Sequence, residues 1–78
     1  MPRYYFHLRD GEHTEDEEGL DLPDIEAARN VALEAARDIV CADIKHGWLN
    51  LDYRIVVADE DGATVLTMTF REAFEIRG

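Results

Sequence analysis

Apolar positions change period twice along the chain. They recur at helical spacing from Asp24 to His46 (DIEAARNVALEAARDIVCADIKH) and alternate in shorter runs before and after it. At about 100° per residue, Ile25, Ala28, Ala32, Ala35, Ala36 and Ile39 share one stripe, while Asn30, Glu34, Arg37, Asp38 and Cys41 fall roughly opposite. Asp24, behind Pro23, is placed to accept an orphan N–H of the first turn, and Glu26 suits the positive end of the helix dipole. Lys45 and His46 suit the negative end, and Gly47 is the expected left-handed stop, with Trp48 expected to return against the last turn. Such a helix is a rod of roughly 30 Å, long enough to roof a small sheet. Leu33, Val40 and Ile44 form a second apolar line, rotated about 100° from the first. That line needs a partner of its own: a wide sheet, a loop, or a second copy of the chain.

The flanking runs read as strands. From Met1 to Arg9, Tyr4, Phe6 and Leu8 alternate with Tyr5, His7 and Arg9; the first set is the expected core set. Asp10-Gly11 is a turn, and Leu20 with Leu22 suits a short edge strand returning along the first, ended by Pro23. The intervening tip, His13 to Glu18, is expected to be mobile and solvated. Leu49 to Ala58 reads as one long strand, apolar on both faces over Ile55–Ala58, which suits a central position. Asp59-Glu60-Asp61-Gly62 is a hairpin loop. Ala63 to Phe70 returns with Leu66, Met68 and Phe70 on one face and Val65, Thr67 and Thr69 on the other. In the tail, Phe74 and Ile76 could extend a strand, or Arg71 to Phe74 could form one helical turn. The order strand-strand-helix-strand-strand predicts an α+β fold, with one long helix on one face of a small antiparallel sheet. The other face, carrying Tyr5, His7 and Arg9, is left open.

Seventy-eight residues make a single domain, 1–78, with little stability to spare. One cysteine forbids an internal disulfide, so oligomerisation is the remaining device. A net charge of −10 opposes binding to nucleic-acid backbone or anionic membrane, while 46% apolar residues is too many for a disordered acidic tail. No apolar run approaches the length of a membrane span, and the opening MPRYYFHLRDG lacks signal-peptide architecture. The expected compartment is the cytoplasm.

Candidate chemistry is sparse. Eight acids and no Lys or Arg lie between Asp10 and Asp24, but Glu15, Asp16, Glu17 and Glu18 are consecutive, unlike the alternate oxygens of a calcium loop. His7, His13, Cys41 and His46 lack zinc spacing, so no metal and no cofactor is expected. The chain has no serine, and no glycine-rich phosphate loop precedes the helix. No catalytic residue is assigned, and no enzyme is expected. Arg3, Arg9 and Arg54 could gather beside Tyr5 on the open face as a small platform for a single strand of nucleic acid or a ligand, against the net charge.

The opening MPRYYFHLRDG, then DEEGLDLPDIEAARNVALEAAR, then VVADEDGATVLTMTFREAF resembles the short bacterial proteins of domain-of-unknown-function family 6894. The likeness covers almost the whole chain. It is most specific at Tyr4, Phe6, His7, Asp10 and Gly11, then Glu18-Gly19 and Leu22-Pro23-Asp24. The resemblance implies a protein consisting of this one domain, and it lends no activity and no catalytic residue.

The reading is therefore a non-enzymatic cytoplasmic module that forms a homodimer and engages another protein. Its expected contacts are Leu33, Val40 and Ile44 on the helix and Tyr5, His7 and Arg9 on the sheet. The alternative is a regulator that binds a small ligand or nucleic acid on the open face.

Overall fold

The computed structural model describes residues 1–11, 13–75 and 77. Five antiparallel strands form one sheet: β1 (Arg3–Arg9), β2 (His13–Thr14), β3 (Leu20–Asp21), β4 (Arg54–Ala58) and β5 (Thr64–Thr69). The helix α1 (Ile25–Lys45) separates β3 from β4, and a 3₁₀ turn (Arg71–Ala73) follows β5. The strand order is β2-β1-β4-β5, with β3 also paired to β1. The order predicted from the pattern thus holds, with the second strand divided in two. No helix among the described residues is long and apolar enough to cross a membrane.

Both helix ends follow local chemistry. The Asp24 side chain accepts from Ala27 N–H at 2.8 Å. At the other end Gly47 takes φ +97°, its N–H bonds Ile44 O, and Trp48 N–H returns to Asp43 O. The backbone turns back as expected, yet the Trp48 ring stays 61% exposed.

The buried stripe differs from the expected one. It is Ala28, Ala32, Ala36 and Val40, with Ala35, Ile39 and Leu33 half-buried at the margins and Ile25 49% exposed. Steps of four residues advance about 400°, so a ridge at that spacing drifts about 40° per step around the helix. The drift turns Ile25 out and Val40 in. Val40, expected at an interface, is 2% exposed and belongs to this chain's own core. Ile44 is the next step of the same ridge and is 56% exposed, beyond the last core residue.

Beneath the helix, cross-strand partners stack in rows: Phe6, Val57 and Leu66, then Leu8, Ile55 and Met68. Val57 and Met68 are fully enclosed, as is Phe70, whose ring meets Tyr53 edge-on at 5.8 Å. Burying a side chain as large as Phe70 stabilises by roughly 2–3 kcal/mol. Arg37 Nε donates to Ala73 O at 2.9 Å and ties the 3₁₀ turn to the helix. The opposite face carries the rows His7, Val56, Thr67 and Arg9, Arg54, Thr69. Among the described residues no helix covers that face, and the thinnest Cα dimension is only 16 Å.

Two expected elements are shorter than their pattern. Leu49 to Tyr53 alternates like a strand, but β4 begins only at Arg54. The ladders on both sides end at that residue, opposite Arg9 and Thr69, and the Asn50 side chain draws Asp52 N–H into a turn. Without a neighbour to pair with, alternation alone does not make a strand. In the tail the helical-turn alternative holds at Arg71–Ala73; Ile76 lies outside the described residues.

Candidate functional site

The acidic segment does not form the loose tip that its composition suggested. Leu8 faces Thr14 on β2 and Tyr4 faces Leu20 on β3, so the edge takes six steps while β1 takes four. The two extra residues make a bulge over the gap, where Phe6 turns its N–H outward. Asp16 fills the gap. Its carboxylate accepts from Phe6 N–H at 3.1 Å, Glu18 N–H at 3.1 Å and Gly19 N–H at 3.2 Å. Burial pushes the Asp16 pKa up, but these three bonds and the nearby His7 outweigh it, leaving the carboxyl below its ordinary 3.8. Gly19, at φ +71°, closes the bulge where a Cβ would meet Arg3 Cγ and Tyr4 O at 2.9 Å. Asp16 is the one aspartate of the run Glu15–Glu18, and its short side chain suits the bonds to Glu18 and Gly19 N–H; its bond to Phe6 comes from the register of the strand opposite.

Tyr5, His7 and Arg9 do lie together on the open face, but two of them are engaged. Arg9 pairs with Glu15 at 2.8 Å. His7 Nδ1 stands 3.1 Å from the Asp16 nitrogen and 3.0 Å from a Glu15 oxygen. A ring nitrogen cannot accept from one and donate to the other at once. The Asp16 N–H is always a donor, so neutral His7 accepts from it and carries its proton on Nε2. Protonated at Nδ1, His7 instead donates to Glu15.

The expected basic platform is reduced for the same reason. Arg3 is spent on Asp21 and on the Glu18 carbonyl, and Arg9 on Glu15. Arg54, opposite Arg9, has no carboxylate in ion-pair range among the described residues. An open cleft of about 360 Å³ lies there, lined by Arg9, Gly11, His13, Asp52, Tyr53 and Arg54. Among the described residues, no three His, Cys, Asp or Glu side chains converge as a metal site.

The second candidate lies at the C-terminal end of the helix. Ile44, Trp48 and Leu49 are 56%, 61% and 55% exposed. Ile44 and Leu49 also border an apolar hollow of about 200 Å³ with Val40, Leu51, Phe74 and Glu75. Glu75 is the one ionisable residue of that lining. Of the three helix residues expected at an interface, the structure brings only Ile44 to this surface; Leu33 packs against the core, and Val40 forms the floor. Sequence reasoning missed Trp48 and Leu49, although two large apolar residues directly after a helix-ending glycine were a visible signal.

The model of the family described as "Domain of unknown function (DUF6894)" matches residues 3–71, from the first residue of β1 into the 3₁₀ turn. The chain belongs to this family. No curated protein and no solved structure matches it. Tyr4, Phe6, His7 and Gly19, all within the matched residues, gather around the Asp16 bulge at the edge of the sheet. Phe74 and Glu75, on the rim of the apolar hollow, lie beyond the matched residues.

Proposed function

We propose that this domain is a non-catalytic protein-interaction module that pairs with a second copy of itself through the apolar end of α1. The observation that carries this reading is the cluster of Ile44, Trp48 and Leu49, each more than half exposed in a chain of only 78 residues. Contiguous exposed apolar surface with an aromatic anchor is the composition of an interface core. A second copy is the favoured occupant for two reasons. A chain this small gains from burying more apolar surface than one core provides. The charge of −10 drives copies apart elsewhere, whereas this lining carries a single ionisable residue, Glu75.

Trp48 is the only tryptophan, so its fluorescence reports the contact directly. Across micromolar to millimolar concentrations, the sedimenting mass should rise from 8.9 kDa towards twice that value as the emission shifts to the blue. Ile44→Asp and Leu49→Asp should hold the mass at 8.9 kDa and the emission red-shifted. A wild-type chain that keeps one mass and one emission maximum throughout refutes the reading.

One observation favours a second reading, a small-anion binder on the open face. Arg9 and Arg54 are direct cross-strand partners, an arrangement of like charges that costs sheet stability. Under that reading inorganic phosphate raises Tm and Arg54→Ala removes the rise; an unchanged Tm at high phosphate concentration eliminates it.

A further inference from the structure

The two outer edges of the sheet are finished differently. On the β1 side, β2 and β3 cover the edge in pieces and Asp16 takes the N–H left between them. On the β5 side no strand follows among the described residues. Phe70 N–H bonds Tyr53 O, so Met68 and Leu66, at alternate positions of the same register, turn their peptide groups towards β4. Thr67 and Thr69 therefore turn theirs outward. The Glu72 carboxylate takes up Thr69 N–H at 3.0 Å. For Thr67 N–H no acceptor is present among the described residues. From Ala63 to Phe70 the chain has no ionisable side chain, proline or glycine, and the one irregularity that could blunt this edge, a bulge at Val65, leaves the stretch from Leu66 to Thr69 in regular register.

We infer that the β5 edge takes up an extended segment of a partner protein as an added strand centred on Thr67, β-branched in its middle and basic at its ends. Strand addition supplies main-chain hydrogen bonds to the free peptide groups, and β-branched side chains match the threonine-rich outer face. The basic ends follow from charge. Asp61 lies at one end of β5, its neighbours Asp59 and Glu60 being turned into the hairpin and onto Arg3 N–H, and Glu72 lies at the other, while nearby Arg71 faces Asp52 at 3.7 Å. A second copy paired antiparallel along β5 would set one chain's hairpin acids against the other's Glu72, so like charges disfavour that occupant. This edge is separate from the apolar end of α1, and the inference stands whether or not the domain dimerises there.

The test uses a blocked peptide of sequence Lys-Thr-Val-Thr-Val-Lys, added to the intact protein, with amide exchange and chemical shifts read residue by residue. At low salt the peptide should slow exchange of the Thr67 amide by about tenfold or more and shift resonances along Val65–Thr69. The same peptide N-methylated at alternate residues should do neither, and a version with Glu in place of Lys should bind about tenfold more weakly. Thr67→Pro removes the outward N–H at a position where an edge strand tolerates proline, and it should abolish binding with the fold retained. Should that variant unfold, the N-methylated peptide still decides. The inference fails if millimolar peptide leaves the Thr67 amide unchanged, or if the shifts map elsewhere. It fails equally if that amide becomes protected with rising protein concentration alone, which would assign the edge to a second copy.

Discussion

The Asp16 carboxylate stands 3.1 Å from the Phe6 backbone nitrogen and completes a sheet edge that its own strand leaves open. Two further N–H groups, of Glu18 and Gly19, converge on the same side chain. Asp16→Ala strands an outward donor of a central strand and loosens the bulge, so it should cost about 2–3 kcal/mol in chemical denaturation. The pH dependence has a definite sign. A carboxyl whose folded pKa lies below 3.8 favours the folded state in its ionised form. Its contribution is complete above 3.8 and is lost as pH falls through the folded value. Asp16→Asn should flatten the acid limb of a stability–pH curve in that window; an unchanged slope assigns the acid sensitivity to other carboxylates.

Gly19 and Gly62 both hold positive φ, at +71° and +85°, but only Gly19 is crowded. A Cβ at Gly62 meets nothing within 4 Å, so Gly62→Ala should cost only the left-handed penalty of about 1–2 kcal/mol. At Gly19 the Cβ lands 2.9 Å from Tyr4 O, a backbone atom that moves only with β1. Gly19→Ala should therefore lower stability by about 3 kcal/mol or more. Paired melting curves measure the difference, and equal losses would mean that the bulge relaxes freely.

Much of this architecture was legible because it is local. Caps, glycine stops and the helical period are written within a few residues, and the α1 boundaries followed from Asp24 and Gly47. What escaped depended on partners distant in sequence. Leu49–Tyr53 alternates correctly, but its neighbours end their ladders at Arg54. Asp16 is the one aspartate among four acids in a row, but only the register opposite Phe6 shows which N–H it completes. Val40 and Ile44 sit on the same helical line, and the sequence does not say where along that line the sheet stops.

His7 should occupy one tautomer when neutral, with Nδ1 bare to accept from Asp16 N–H and the proton on Nε2. Nitrogen chemical shifts of the ring report this directly. Ring nitrogen shifts that place the proton on Nδ1 would show that the two are not bonded in solution.

Val40 and Ile44 separate folding from association, being successive steps of one ridge on opposite sides of the core boundary. Val40 is 2% exposed, so Val40→Ala leaves a cavity and should cost about 2 kcal/mol, a fall in Tm of roughly 10 °C for a chain of this length. Ile44 is 56% exposed, and Ile44→Ala at submicromolar concentration should change stability by no more than about 0.5 kcal/mol. At high concentration the order reverses in a different observable: Ile44→Ala should weaken the rise in mass and the blue shift of Trp48 more than Val40→Ala does, since Val40 only floors the hollow and is 2% exposed. Denaturation at low concentration and sedimentation at high concentration, run on the same two variants, give the four readings. If Ile44→Ala destabilises the dilute monomer as much as Val40→Ala does, the ridge is core along its whole length, and the apolar end of α1 has no surplus surface to offer a partner.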